Sequence, residues 1–225
     1  MAKQSRGTCQ VCGKSFAKGG MVRHLSSCPE RKEANLVAEG SKRKGETLHH
    51  VRIEDAWGAG YWLDLEMRGS ATLADLDRYL RAIWLECCGH LSQFSVGGWA
   101  GREIPMSRRI NDVFGSDEAL THIYDFGTSS ETLVRPMGTR PGVPLTRHPI
   151  TLMARNLPPE YDCMACGKPA HWLCLECVYE HDSPGTLCDD HAEQHPHDDY
   201  GEPMPIVNSP RVGMCGYEGP AEPPY

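Results

Sequence analysis

The chain has 225 residues, 40% of them hydrophobic, 24% charged and 8% aromatic, which excludes a largely disordered or collagen-like chain and suits one core with one or two small modules. No apolar run approaches the ~20 residues of a membrane span, and the opening MAKQSRGTCQ lacks the apolar stretch of a secretory signal, so a cytoplasmic setting without a membrane partner is expected. The net charge of −7 conceals a gradient: ten Lys/Arg against four Asp/Glu in residues 1–50, eleven against thirteen in 51–159, and two against thirteen in 160–225. Eleven Cys and eleven His are the departure from the ordinary, and in a reducing compartment they argue for metal ligation rather than disulfides.

The first feature is Cys9-Gln-Val-Cys12, followed by Phe16, His24 and Cys28, a C-x2-C-x11-H-x3-C pattern. His24 and Cys28 sit four apart, on one face of a helix, and with the two Cys of the knuckle they complete a tetrahedral Zn²⁺ site. The pattern resembles a Cys₂His₂-type zinc finger in its Cys₂HisCys form, spanning residues 1–30. Phe16, Met21 and Leu25 are the few apolar contacts, so metal must supply most of the stability. The Cys-to-His interval is one short of the usual twelve and Gly19-Gly20 sits at the helix start, which predicts a short helix. Lys14, Lys18 and Arg23, backed by Lys42-Arg43-Lys44, are candidate contacts to nucleic-acid phosphates through residues 1–50. A single finger reads only about three base pairs, and a protein-docking finger with a solvated basic face is the alternative. Residues 31–48 carry almost no apolar periodicity and read as linker, with at most a turn or two of helix.

From residue 49 to 150 the pattern is that of an α+β domain. Tyr61, Leu63, Leu65 and Met67 alternate with Trp62, Asp64, Glu66 and Arg68, a strand with one face buried. Thr72-Leu-Ala-Asp75 starts a helix whose apolar stripe is Leu73, Leu76, Leu80, Ile83 and Cys87, ending at Gly89. Leu91–Val96 resumes a strand pattern. Leu120–Phe126 and Glu131–Met137 flank Gly127–Ser130 as a hairpin, and His50–Asp55 reads as a further strand. The arrangement resembles a β-grasp-like fold. Tyr61-x-Leu63, Thr72-Leu-Ala-Asp-Leu76, His90-Leu91-x-x-Phe94 and Tyr124-Asp-Phe-Gly127 together resemble the plasmid ORF-three-like family, named after an open reading frame of a root-inducing plasmid. That resemblance implies the fold and an association with plasmids and mobile elements, but no established reaction. The chain departs from the pattern at Ser92 and at Thr128-Ser129-Ser130.

His90, His122 and Asp125 are the most suggestive polar residues here, and structural roles at a strand start and a hairpin edge are the plainer reading. Cys87-Cys88 could supply a nucleophile, but Cys87 falls on the apolar stripe. There is no G-x-S-x-G elbow, Walker A loop or H-E-x-x-H, and Gly97–Gly101 reads as a turn, so no catalytic residue is assigned.

A Pro- and Gly-rich stretch over 136–159 marks a boundary. Beyond it, over 160–215, come Cys163, Cys166, Cys174, Cys177, Cys188, His191, His195 and His197: eight candidate ligands, enough for two tetrahedral sites. The spacing resembles cross-braced B-box or treble-clef modules. That likeness implies that Cys163, Cys166, Cys188 and His191 share one ion and Cys174, Cys177, His195 and His197 another, with His171, His181 and Cys215 as open substitutes. Thirteen carboxylates favour a protein partner for this acidic module. Residues 216–225 read as a mobile tail. The expected protein therefore binds about three Zn²⁺ and is non-enzymatic, with nucleic acid at its head and protein at its tail. The rival is an accessory nuclease or other hydrolase of a mobile element, with its site in the central domain.

Overall fold

The alternation from Tyr61 to Met67 does form a strand, and the computed structural model, which describes residues 5–58, 60–115, 118–197 and 199–225, places it inside a nine-stranded sheet. In chain order, β1 (Arg6–Cys9) and β2 (Ser15–Ala17) precede two helices, α1 (Lys18–Ser27) and α2 (Pro29–Glu39). Next come β3 (Glu46–Asp55), β4 (Trp62–Arg68) and α3 (Leu73–Leu80), which runs into one wide helical turn at Arg81–Leu85. Then follow β5 (Ser92–Val96), β6 (Arg102–Ile104), the short α4 (Ile110–Val113), β7 (Leu120–Tyr124), β8 (Ser130–Gly142) and β9 (Ile150–Asn156). The sheet order is β2-β1-β9-β4-β3-β8-β7-β5-β6, and each neighbouring pair is antiparallel. The α+β class expected from sequence is the one observed; the β-grasp likeness is narrower than a sheet of this extent.

Helix α3 starts as its sequence dictates. The Thr72 hydroxyl accepts from the Asp75 amide while the Asp75 carboxylate accepts from the Thr72 amide, a reciprocal cap. Its stripe, Leu73, Leu76 and Leu80, continues through Ile83 and Trp84 and packs on Leu63, Leu65 and Met67 of β4 to make the main core. The regular helix is shorter than expected, because the wide turn at 81–85 ends it at Glu86, before Cys87 and Gly89.

The opposite face of β4 corrects the expectation of one buried face. Trp62, Asp64 and Glu66 are also buried. Asp64 accepts both Arg52 nitrogens, at 3.1 and 2.7 Å, and His50 at 2.7 Å; Arg52 in turn lies over the Trp62 ring. Glu66 takes Arg31 from α2 at 2.5 Å and Arg140 from β8 at 2.9 Å. Charges buried this way hold only because each is paired. Alternating Asp and Glu look solvent-facing in sequence; here two helices cover them.

Those helices belong to the residues expected to be a separate finger and a linker. Pro29 at the first helical position and Glu30 in the first turn start α2, and Arg31 and Asn35, one turn apart, reach Glu66 and Arg140. Strand β1 pairs with β9, so the head is an extension of the sheet. Gly7 permits it: a Cβ there would lie 2.4 Å from the Arg155 carbonyl and 2.5 Å from the Trp62 ring. At the β4–β9 register shift Met153 is the extra residue, and its side chain joins Met21, Leu25 and Trp62 in a second apolar cluster.

Beyond β9, β10 (Trp172–Leu173), α5 (Leu175–Tyr179), β11 (Thr186–Leu187), α6 (Asp189–Ala192) and β12 (Met204–Pro205) build a small module around a three-stranded sheet, β11-β10-β12. The last ten residues, expected to be mobile, have a place: Tyr217 is buried, and Tyr225 stacks on His148 at 3.9 Å and meets Tyr79 edge-on. Two aromatic rings that find apolar partners offset the entropy of ordering the tail.

Gly7→Ala is expected to destabilise the protein by about 1–3 kcal/mol, the range for an overpacked interior position. Chemical denaturation checks this, and an unchanged midpoint would mean that the head does not dock through β1.

Candidate metal centres

Strand β1 ends at Cys9, where the chain reverses. The Cys9 amide donates to the Lys14 carbonyl at 3.0 Å and the Gly13 amide to the Cys9 carbonyl at 2.9 Å, a turn that aims Cys9 and Cys12 the same way. Helix α1 then supplies His24, with Cys28 at its C-terminal cap. Glycines 19 and 20 lie inside this ten-residue helix and do not shorten it. Phe16 stacks on His24 with ring centroids 4.1 Å apart, which leaves His24 Nε2 3.3 Å from Cys12 Sγ. The ligand atoms of Cys9, Cys12, His24 and Cys28 all lie within 4.8 Å of one another.

The same turn recurs in the small module. Cys163 donates to the Lys168 carbonyl at 2.7 Å and Gly167 to the Cys163 carbonyl at 2.8 Å. Both turns are Cys-x-x-Cys-Gly-Lys, at 9–14 and 163–168, a repeat legible in the sequence that the ligand spacing alone passes over. Cys188, at the N-cap of α6, and His191 within it close a set with Cys163 and Cys166. Cys174 caps α5, its sulfur accepting the Cys177 amide, so both thiols stand in the first turn of that helix. Cys174 and Cys177 meet His195 and His197. The four pairs thus form two interleaved sets, first with third and second with fourth. His171 lies outside both and bonds Asp189. Glu176 stands 4.0 Å from His197 Nε2, on the side of the ring away from the sulfurs, the position of an orienting carboxylate.

Distances decide what these sets can do. Metal–sulfur bonds near 2.3 Å and metal–nitrogen bonds near 2.0 Å give tetrahedral edges of roughly 3.3–3.8 Å. The observed separations are 3.8 Å for Cys166–Cys188, 3.6 Å for Cys163–His191, and 3.2 Å for Cys177–His195, Cys177–His197 and His195–His197. Sulfurs in a disulfide would be about 2.0 Å apart. Each set can therefore hold a metal ion.

The candidate phosphate contacts are less free than their sequence suggests. Lys14 pairs with Glu30 at 3.4 Å and Lys18 with Glu54 at 2.9 Å, while Arg23 is exposed on α1. The polar trio of the central domain does not gather into one site. His90 Nε2 is 3.4 Å from Asp125, but His122 is fully buried, packs on Phe94 and bonds Asp77 at 2.9 Å. Its Nδ1 has no partner among the described residues, the pattern of a neutral ring with its proton on Nε2. Burial holds His122 below its ordinary pKa despite Asp77. Burial alone would raise Asp77, but hydrogen bonds from His122, Ser92 and Arg81 outweigh it and leave the carboxyl at about 2.

No family model and no curated protein matches the chain, so the resemblance to the plasmid ORF-three-like family gains no support from those comparisons. A solved structure similar to it is that of a protein of unknown function from Methanosarcina mazei Go1, at 19% identity and a TM-score of 0.40, covering 47% of this chain and 68% of that one. No functional weight rests on a likeness of that size.

Two outcomes are expected. Cobalt titrated into metal-free protein should give the intense visible bands of tetrahedral thiolate sites, and Cys12→Ser should lower uptake by one equivalent; equal uptake would contradict the head site. Asp77→Asn should cost at most about 2 kcal/mol near neutral pH. Because the folded pKa is depressed from 3.8 to about 2, the Asp77 contribution is complete above the unfolded value and is lost as pH falls through the folded one. The gap between the two proteins should close over that window in denaturant titrations, and a pH-independent gap would refute the assignment.

Proposed function

We propose that this is a non-enzymatic protein whose head and C-terminal module are stapled by Zn²⁺ and which acts by binding. The observation that carries the reading is that each of the three sets offers four soft or borderline donors at tetrahedral separations, two as Cys₃His and one as Cys₂His₂. Such donor sets suit Zn²⁺, and four protein ligands leave no position for the water or substrate that a catalytic ion needs. Thiols kept reduced for metal suit a reducing compartment such as the cytoplasm.

Nucleic acid is the partner proposed for the basic end. Exposed ion pairs such as Lys14–Glu30 are weak and yield readily to phosphate. A groove of about 180 Å³ lined by Arg43, Lys44 and Arg147 adds three cations from loops, beside Arg68 at the end of β4, which pairs with Glu46. For the acidic module a basic protein segment is the proposed partner. Trp172, Asp189, Glu193 and Glu202 line a concave surface of about 560 Å³ beside His195 and His197. The association with plasmids and mobile elements rests on the sequence resemblance alone.

Fluorescence anisotropy with short labelled duplex and single strands tests the nucleic-acid half. Affinity should fall steeply with salt, Arg23→Ala should reduce the salt slope by about one contact, and a Lys44→Glu, Arg147→Glu double variant should weaken binding at least about tenfold. No binding to either probe at about 50 mM salt would overturn it.

A further inference from the structure

Eight of the eleven cysteines belong to the three sets above; the remaining three are Cys87, Cys88 and Cys215. They are not scattered. Together with His90 their ligand atoms lie within 4.8 Å of one another, although Cys215 is more than 120 residues away in sequence. We propose that Cys87, Cys88, His90 and Cys215 form a fourth metal site, for a thiophilic divalent ion such as Zn²⁺, and that this ion clasps the C-terminal strap, residues 206–217, to the sheet domain.

Three separations are again those of a tetrahedron around one ion, 3.7 Å for Cys87–Cys88, 3.7 Å for Cys88–Cys215 and 3.5 Å for Cys215 Sγ to His90 Nε2, and the fourth, Cys88 Sγ to His90 Nε2, is closer at 3.0 Å. The wide turn at 81–85 ends α3 at Glu86 and throws the next residues outward. Glu86 then accepts the Gly89 amide, at 2.5 Å, and the Tyr124 hydroxyl, at 3.2 Å, fixing the bend that bears Cys87, Cys88 and His90.

The strap is anchored for the purpose. Ser209 donates to the Trp84 carbonyl at 2.6 Å. Arg211, fully buried, donates to Asp125 at 2.7 Å, to the Thr128 carbonyl and Ser130 hydroxyl at 3.0 Å, and to Cys87 Sγ at 3.4 Å, with its guanidinium over the Tyr124 ring. A buried cation against a sulfur offsets part of the excess negative charge that three thiolates bring to one divalent ion. Cys215 itself sits at φ 53°, ψ 34°, a left-handed conformation that a non-glycine residue adopts only when its surroundings impose it. Asp125, the partner of Arg211 and of His90, is also left-handed, at φ 66°.

This site differs from the other three in access. Cys88 and Cys215 are exposed, whereas every other set has at least two buried cysteines. Its ion should leave first when a chelator is added, and only the strap should be released. The proposal is independent of what the protein binds.

The test is metal content of the full-length protein prepared anaerobically with Zn²⁺, beside Cys215→Ser, with cysteine alkylation read by mass spectrometry. Four equivalents falling to three in the variant are expected. In the wild type, Cys88 and Cys215 should resist alkylation until a mild chelator is added and should react before Cys9 or Cys174. The alkylation pattern of the wild type decides the matter should Cys215→Ser fail to fold. Three equivalents in both proteins, with Cys88 and Cys215 reacting equally with or without chelator, would overturn the proposal. So would a Cys88–Cys215 disulfide in the metal-loaded protein.

Discussion

Thiol and imidazole side chains gathered to separations of 3.2–3.8 Å, farther apart than a disulfide and close to the edges of a metal tetrahedron, are the feature on which the small module and the head depend. A divalent ion can bridge each set. The module between Cys163 and His197 has two-residue strands and four- or five-residue helices, too little apolar surface to hold together unaided. Because the ligand pairs interleave, an ion in either set would brace the loop that carries the other.

The head is placed differently. Its set lies against Trp62, Met153 and Ala154 of the sheet, so the sheet packs a small element that an ion there would hold in shape. That arrangement depends on a strand pairing and on one residue, Gly7, small enough to let β1 approach. The covered face of β4 follows from the same docking. Because α1 and α2 lie over it, Asp64 and Glu66 must be paired, and Arg31, Arg52 and Arg140 do the pairing.

What could be read in sequence was whatever is encoded locally. Ligand spacings, the Thr72–Asp75 cap, the stripe of α3 and the hairpin of β7 and β8 each depend on residues a few positions apart, and the structure places them accordingly. What escaped depends on partners far along the chain. The helix at 29–39 has no apolar stripe because charged and amide contacts with Glu66 and Arg140 attach it. The tail looked mobile because Tyr225 meets His148 and Tyr79 only after folding. Cys215 reads in sequence as a substitute ligand for the C-terminal sets, because its neighbours Cys87, Cys88 and His90 belong to the central domain. His90 and Asp125 do meet, but His122 points into the core toward Asp77, a distinction that spacing cannot make.

Hydrogen exchange after anaerobic chelation tests the account most directly. With the ions removed, amides of residues 163–197 and of the head around Cys9–Cys28 should lose protection, while those of β3, β4 and β8 in the sheet interior remain slow. Identical exchange before and after complete metal removal would contradict it, since the clusters would then be held by packing alone.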